Sequence, residues 1–273
     1  MVGKTVTGKT VTGKSPNMLN HPTKDKLIAM RLHGMAQALD ELTRLPAYDA
    51  MDFMERLGLL IDFEMTARSN RHLKVRLKQA HLRQSAVVED IDFHQQRGLD
   101  RAHFQSLLSG EWLRRHDNCL ITGPSGVGKS YLACALAHHA CRAGIKVLYT
   151  RVPRLLPELQ IAKADGSFGK RLLALSRVDL LVLDDWGLAP LEPPHTRDLL
   201  EIVDDRYDRK STLIISQIPV DQWHQLLGDP TLADAILDRL VHNAHRLNLA
   251  GDSMRKTRAQ NSNYLTKEDA SSS

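Results

Sequence analysis

The sequence predicts an α/β protein, a parallel β-sheet with helices on both faces, preceded by a small all-helical domain. Three observations predict it. From about Asn118 short apolar runs alternate with helical stretches, the rhythm of strand–helix–strand units. Before that, from Thr23 to about Arg83, apolar residues recur at spacings of three and four. Between an apolar run and an apolar helix lies "GPSGVGKS", Gly123 to Ser130, a pattern that cradles phosphate in that setting.

The elements follow in order. Residues 1–22 are mostly Gly, Thr, Lys, Ser, Asn and Pro and carry the repeat "VTGKT / VTGKS"; too little apolar surface is present to offset ordering entropy, so a disordered tail is expected. Ile28, Leu32, Met35, Leu39 and Leu42 form one stripe of an amphipathic helix, ended by Leu45-Pro46. Phe53, Met54, Leu57, Leu60, Ile61 and Glu64 continue the period in a second helix, and "RSNRHLKVRLKQAHLR" reads as a third. These make a helical domain over 23–92. The second domain, 93–258, reads as "NCLIT" (strand), a helix from Lys129 to Arg142, "KVLYT" (strand), helical segments to Ser176, "DLLVLDD" (strand), a helix from about Thr196 to Tyr207, "STLIIS" (strand), two helical pieces and "HRLNL" (strand). Residues 259–273 are polar again and read as a flexible tail.

The phosphate-loop pattern G-x-x-x-x-G-K-[ST] occurs at Gly3–Thr10, Gly8–Ser15 and Gly123–Ser130. It works only where a buried strand delivers the chain and a helix starts at the Lys-Ser, so that helix amides and dipole face the anion. Gly3 follows only Met-Val, and Ser15 precedes Pro16-Asn17; both matches read as chance products of the repeat. The third has both flanks. Its candidate binding residues are Gly123, Pro124, Ser125, Gly126, Val127, Gly128, Lys129, Ser130 and Tyr131. The amides from Gly126 to Ser130 cradle phosphates, Lys129 reaches the β and γ oxygens of ATP, and the Ser130 hydroxyl ligates Mg²⁺.

The other half of such a site is an acid at a neighbouring strand tip. "LLVLDD" supplies Asp184 to hold Mg²⁺ through water and Asp185 to polarise the attacking water. "STLIIS" ends in Ser216-Gln217, either of which could sense the γ-phosphate and position water; a plain strand-end turn is the alternative. The thirteen histidines include no metal constellation, and Trp186 and Trp223 read as packing residues. The three cysteines lack metal-ligand spacing and read as buried thiols in a reducing cytosol. No apolar run reaches the length of a membrane span and no signal-peptide core is visible, so a cytoplasmic protein is expected. A net charge of +5 and a pI near 9.1 mildly favour a polyanionic partner.

In order and spacing, "GPSGVGKS", "LLVLDDWG", "IISQIPVDQWH", "ILDRLVHNAHRLNL" and "GDSMRK" resemble the IstB-like ATP-binding proteins of two-gene insertion sequences, a branch of the AAA+ ATPases near the DnaC-type helicase loaders. The similarity covers roughly Asp25 to Arg258 and includes "E-x-x-x-R-x-x-R" at Glu64, Arg68 and Arg71. The phosphate loop alone is generic; "DRLVHNA…GDSMRK" is far more specific. The resemblance implies the AAA+ P-loop NTPase fold with a five-stranded parallel sheet in the order 5-1-4-3-2, and ATP-dependent homo-oligomers with nucleotide between neighbours. It implies that Arg239, in "ILDRL", is the arginine finger reaching a neighbour's γ-phosphate, and that Arg255, in "SMRK", is the second sensor within the same subunit. From the residues alone, either could be a surface arginine on an exposed helix. Most AAA+ members carry Glu where Asp185 stands. A side chain one methylene shorter reaches the water less well, so slow hydrolysis is expected, suited to a switch. The short stretch after "SMRK" leaves no room for the usual helical lid.

Arg68, Arg71, Lys74, Arg76, Lys78 and Arg83 follow one another with no acid among them. Arg71, Lys74 and Lys78 share one side of a helix whose Leu73, Leu77 and Ala80 mark the buried side. Such a run is often just a solvated face. Because the resemblance implies target-DNA binding, Arg68, Arg71, Lys74, Arg76 and Lys78 are candidate contacts to double-stranded DNA, through phosphates and not bases. The implied function is a transposition regulator that assembles on target DNA and recruits and stimulates a cognate transposase. The alternatives are a replicative helicase loader and a nucleotide-gated scaffold without hydrolysis.

Overall fold

The computed structural model describes residues 22–254 apart from 43, 46, 48, 49 and 190. The repeat at Gly3–Ser15, Arg255 and residues 259–273 lie outside the described residues. The chain forms two compact units, with the division between His72 and Leu73.

The first unit holds α1 (Pro22–Ala29), α2 (His33–Leu42) and the greater part of α3 (Phe53–Ala80). The stripe from Ile28 to Leu42, expected on one helix, is shared by two. Arg31 turns into the left-handed region at φ 60, and the Leu32 amide reaches back to the Leu27 carbonyl at 2.8 Å. That is a Schellman-type helix ending, built here without the glycine that usually announces it. Conversely, the second and third expected helices are one 28-residue helix, because no Gly or Pro between Phe63 and Ala80 stops it. Glu64 accepts the Gly34 amide at 2.6 Å, the Met35 amide at 3.2 Å and Arg68 Nε at 2.7 Å. It thus closes the start of α2, whose first amides have no intrahelical partner. Burial raises the Glu64 pKa, but the bonds from Arg68, Met35 and Gly34 outweigh it and the net shift is downward. Ala38 and Leu42 form a small core with Met51, Leu59 and Leu60.

The second unit holds the sheet: β1 (Asn118–Thr122), β2 (Val147–Arg151), β3 (Leu180–Trp186), β4 (Ser211–Ser216) and β5 (Ala244–Asn248). The strands are parallel in the order β2-β3-β4-β1-β5, the expected order read from the other edge. Side chains alternate between two cores, as strand geometry dictates. Cys119, Ile121, Val182 and Ile215 face one side, with α4 (Arg101–Leu108), α5 (Lys129–Arg142) and Ala80 at the end of α3. Leu120, Leu181, Leu183 and Ile214 face the other, with α6 (Val152–Ala164), α7 (Phe168–Arg177), α8 (Pro193–Arg206) and α9 (Pro230–Val241). Every residue of β1 and β4 is buried, which explains their unbroken apolar runs. Trp186 and Trp223 pack on each other in the second core, ring centres 5.5 Å apart.

Candidate nucleotide site

The phosphate loop leaves β1 where β5 runs alongside. The Leu249 amide donates to the Thr122 carbonyl at 2.8 Å, and Gly123 follows at φ 141, where a Cβ would collide with the Leu249 carbonyl oxygen. Only glycine fits there. Gly128, at φ 95, is the residue before α5, so the helix opens at Lys129 with its amide end and positive dipole at the loop. Lys129 is buried, and its Nζ donates to the Gly123 and Pro124 carbonyls at 2.7 Å each. A cleft of about 370 Å³ opens here, bounded by Ser125, Gly126, Gly128, Lys129, Ser130 and Tyr131, within the range of small-ligand sites.

Asp184 and Asp185 close the opposite side of the same cleft. Along β3 and β4 the register runs Leu183 to Ile214 and then Trp186 to Ser216, so β3 carries one extra residue. This bulge is the pair of acids, with Asp185 at φ 58. It turns two successive carboxylates toward one site, which a regular strand would send to opposite faces. Asp184 is 1% exposed. Its Oδ1 accepts the Asp185 amide at 2.8 Å, and its Oδ2 accepts from Ser130 Oγ at 3.0 Å, Arg83 at 3.2 Å and the Tyr149 hydroxyl. Asp185 accepts Arg151 Nε at 2.5 Å. A serine hydroxyl and a carboxylate in contact are a hard-oxygen donor pair, and they fit Mg²⁺.

The residues flanking this pair were not found from sequence. Arg83, Gln84, Asp90, Asp92, Gln95 and Arg97 form a polar wall from the segment ahead of α4. Arg97 is 4% exposed and donates to the Asp92 carbonyl at 3.0 Å, while its Nε has no partner; burial pushes its pKa down. Burial, reinforced by the bond to Asp184, raises the Tyr149 pKa, so the phenol keeps its proton. For Arg83, burial opposes the charge, but bonds to Tyr149 and Asp184 outweigh it and the pKa rises. The signals that existed were a lone tyrosine in the apolar run "KVLYT" and an arginine at that strand's carboxyl end; nothing in the spacing of 83–97 announces a wall.

Other expected residues fall as follows. Ser216 is buried, donates to the Trp186 carbonyl at 2.8 Å and accepts the Ile218 amide at 3.0 Å. Its hydroxyl thus serves the turn after β4, while the residue and its exposed neighbour Gln217 both border the cleft. Arg239, on α9, does not border this cleft: it donates to Asp204 at 2.7 Å and to the Ala235 carbonyl at 2.9 Å, and lies over the Tyr207 ring. Asn118, at the start of β1, donates to the Arg239 and Leu240 carbonyls and so fixes the end of that helix to the sheet. On α3, Arg71, Lys74 and Lys78 are exposed, whereas Arg68 pairs with Glu64. Arg76 Nε donates to the Cys141 carbonyl at 2.8 Å, which ties the end of α3 to the end of α5. Among the described residues no helix is long and apolar enough to cross a membrane.

Comparison with known proteins agrees with this geometry. Residues 25–262 match the family described as IstB-like ATP binding protein. The chain is 53% identical over 245 residues to y4pL of Sinorhizobium fredii, named as an insertion sequence ATP-binding protein, covering 90% of this chain and 100% of that one. It is 31% identical over 247 residues to the protein named for ATP binding in insertion sequence IS21 of Pseudomonas aeruginosa, covering 90% and 93%. In fold it is similar to the crystal structure of DnaI (TM-score 0.54, 22% identity, 62% of this chain and 92% of that). It is similar also to AMPPCP-bound DnaA from Aquifex aeolicus (TM-score 0.53, 17% identity, 63% and 52%). Both likenesses bear on the fold alone, a P-loop nucleoside triphosphatase of the AAA+ type. With the motifs in register and the matches spanning nearly the whole chain, the protein belongs to the family of IstB-like ATP-binding proteins, AAA+ ATPases of insertion sequences.

Proposed function

We propose that this protein is an ATP-dependent DNA-binding regulator of transposition, which oligomerises on target DNA, recruits its transposase and stimulates it. The observation that carries the reading is the meeting of Lys129, Ser130, Asp184 and Asp185 in one cleft, in a chain whose relatives are named for insertion sequences. The loop amides and Lys129 bind the triphosphate, with Lys129 turning from its two carbonyls to the β and γ oxygens. Ser130 and Asp184 hold Mg²⁺, which when bound offsets charge on the β and γ oxygens. Asp185 polarises the attacking water, and its short side chain, paired with Arg151, supports slow turnover. Gln217 is the better candidate first sensor, because the Ser216 hydroxyl is used elsewhere. Arg97 and the wall beside it receive the base, where a buried donor without an acceptor gains one.

Arg239 serves as a finger for a neighbour's nucleotide, a reading supported by its absence from the cleft of its own chain, and Arg255 completes the site in cis. Arg71, Lys74 and Lys78 carry the duplex, with a minor contribution from Arg68. We assign these contacts to the helical portion within 23–92 and the ATPase to 93–258, acting in the cytoplasm. Fluorescence anisotropy on two unrelated duplexes tests the core of the reading. Affinity should rise with ATP and Mg²⁺ and be equal for both sequences; indifference to ATP would overturn it. A pull-down against the cognate transposase and a replicative helicase separates this role from helicase loading, which uses the same engine; capture of the helicase alone would favour loading.

A further inference from the structure

Three donors converge on one oxygen, Asp184 Oδ2: the Ser130 hydroxyl at 3.0 Å, Arg83 at 3.2 Å and the Tyr149 phenol. Two of these belong to the strands and helix of the phosphate site. The third does not: Arg83 comes from the chain just beyond the end of α3, past His81, whose backbone turns at φ 50. The last turns of α3 are themselves anchored, by Ala80 buried in the core under the sheet and by the bond from Arg76 to Cys141 on α5. Arg83 is therefore the first residue after an anchored helix that reaches the cleft, and the chain beyond it, with Gln84, Asp92 and Arg97, is the cleft's polar wall.

If Ser130 and Asp184 hold Mg²⁺, with Asp184 acting through a bound water, that water would compete for the oxygen that Arg83 occupies. Two cations on one carboxylate that is 1% exposed repel each other, even though the Arg83 side chain, 40% exposed, leaves water on one side of the pair. Tyr149 is neutral and can stay, keeping the carboxylate aimed. We propose that Arg83 is a positioning residue that competes with the metal: it holds Asp184 until Mg²⁺–nucleotide takes the carboxylate, and its release lets the segment 81–97 close on the bound nucleotide. The inference rests on the nucleotide reading of the cleft.

The test is a Mg²⁺ titration of binding by a fluorescent mant-ATP, read on wild type, Arg83→Gln and Arg83→Lys. Losing one charged competitor should lower the Mg²⁺ midpoint roughly tenfold in Arg83→Gln. Arg83→Lys keeps a point charge in reach, so its midpoint should return toward wild type. A midpoint that is unchanged or higher in Arg83→Gln overturns the proposal. Hydrogen exchange on the wild type reads the same event without a variant. Peptides over 81–97 should change protection with mant-ATP plus Mg²⁺ and not with mant-ATP plus chelator; an identical change in both overturns it. Failure of the wild type to bind mant-ATP under any condition overturns the nucleotide reading itself, and this proposal with it.

Discussion

Asp185 stands on left-handed backbone, at φ 58, a conformation that asparagine and aspartate tolerate better than other side chains. Asp185→Asn should therefore preserve the bulge while removing only the charge that polarises water. It should keep ATP bound and nearly stop turnover, leaving long-lived assemblies on DNA, as phosphate release and anisotropy would record. Asp184→Asn should instead weaken Mg²⁺-dependent ATP binding, because that oxygen faces Ser130 and not the water. Equal turnover in wild type and Asp185→Asn would remove Asp185 from the chemistry. The pairing with Arg151 at 2.5 Å adds a restraint: the acid is held by a neighbouring strand's end and, in the proposed role, has to turn from it to meet a water.

At the scale of the element, α3 combines two kinds of basic residue that the sequence alone could not sort. Changing Arg71, Lys74 and Lys78 to Glu together should weaken binding to all duplexes alike. It should also flatten the log–log salt slope by roughly 0.9 for each phosphate that is no longer neutralised, in every subunit engaged. Arg76→Gln should lower the thermal midpoint and leave that slope unchanged, since its guanidinium serves the Cys141 carbonyl. An unchanged slope in the triple variant would move the DNA surface to the ATPase unit. The start of α2 carries its own prediction. The net pKa shift of Glu64 is below the ordinary 4.5, so its stabilisation is present above that value and fades as pH falls through the depressed one. Glu64→Gln should remove this acid-side loss of urea stability; an identical pH profile would show that the carboxylate does not stabilise the cap.

The same element shows what was legible and what was not. The strands, the phosphate loop and the acids were readable because each is a local pattern: an apolar run of strand length, or a motif between a strand and a helix. The break at Arg31 was not, because a helix ended by a left-handed arginine leaves no Gly or Pro in the sequence. Nor was the merging of two helices into α3, where the apolar spacing merely weakens. Arg83, Tyr149 and Arg151 escaped for a different reason. Each acts on a residue brought near by the fold, and the sequence spacing between partners (Arg83 and Asp184 are 101 positions apart) carries no period. For Ser216, residue type fixed a hydroxyl at the strand end but not the direction of its bonds, which run to Trp186 and Ile218.

For the molecule as a whole, the proposed function requires that neighbouring copies share the site. Lys129→Ala should lose ATP, since it removes the phosphate loop's own charge at the β and γ phosphates, and Arg239→Ala should bind ATP but fail to hydrolyse it. Mixed together they should regain part of the ATPase rate, at interfaces that join an intact loop to an intact Arg239. No recovery at any ratio would count against action in trans. The strand order has another consequence, one for the birth of the protein. β1 pairs with β4 and β5, and with neither β2 nor β3, which come sooner in the chain. A ribosome delivers the phosphate loop long before it delivers the strands that flank β1, and loop closure over such separations is slow. β1 therefore gains its neighbours last, β4 and then the edge strand β5, and a growing chain carries the nucleotide motif without a nucleotide site. Competence for ATP should arrive in one step with release of the chain past Leu249, which makes nucleotide capture by stalled nascent chains of graded length a direct readout of completed folding.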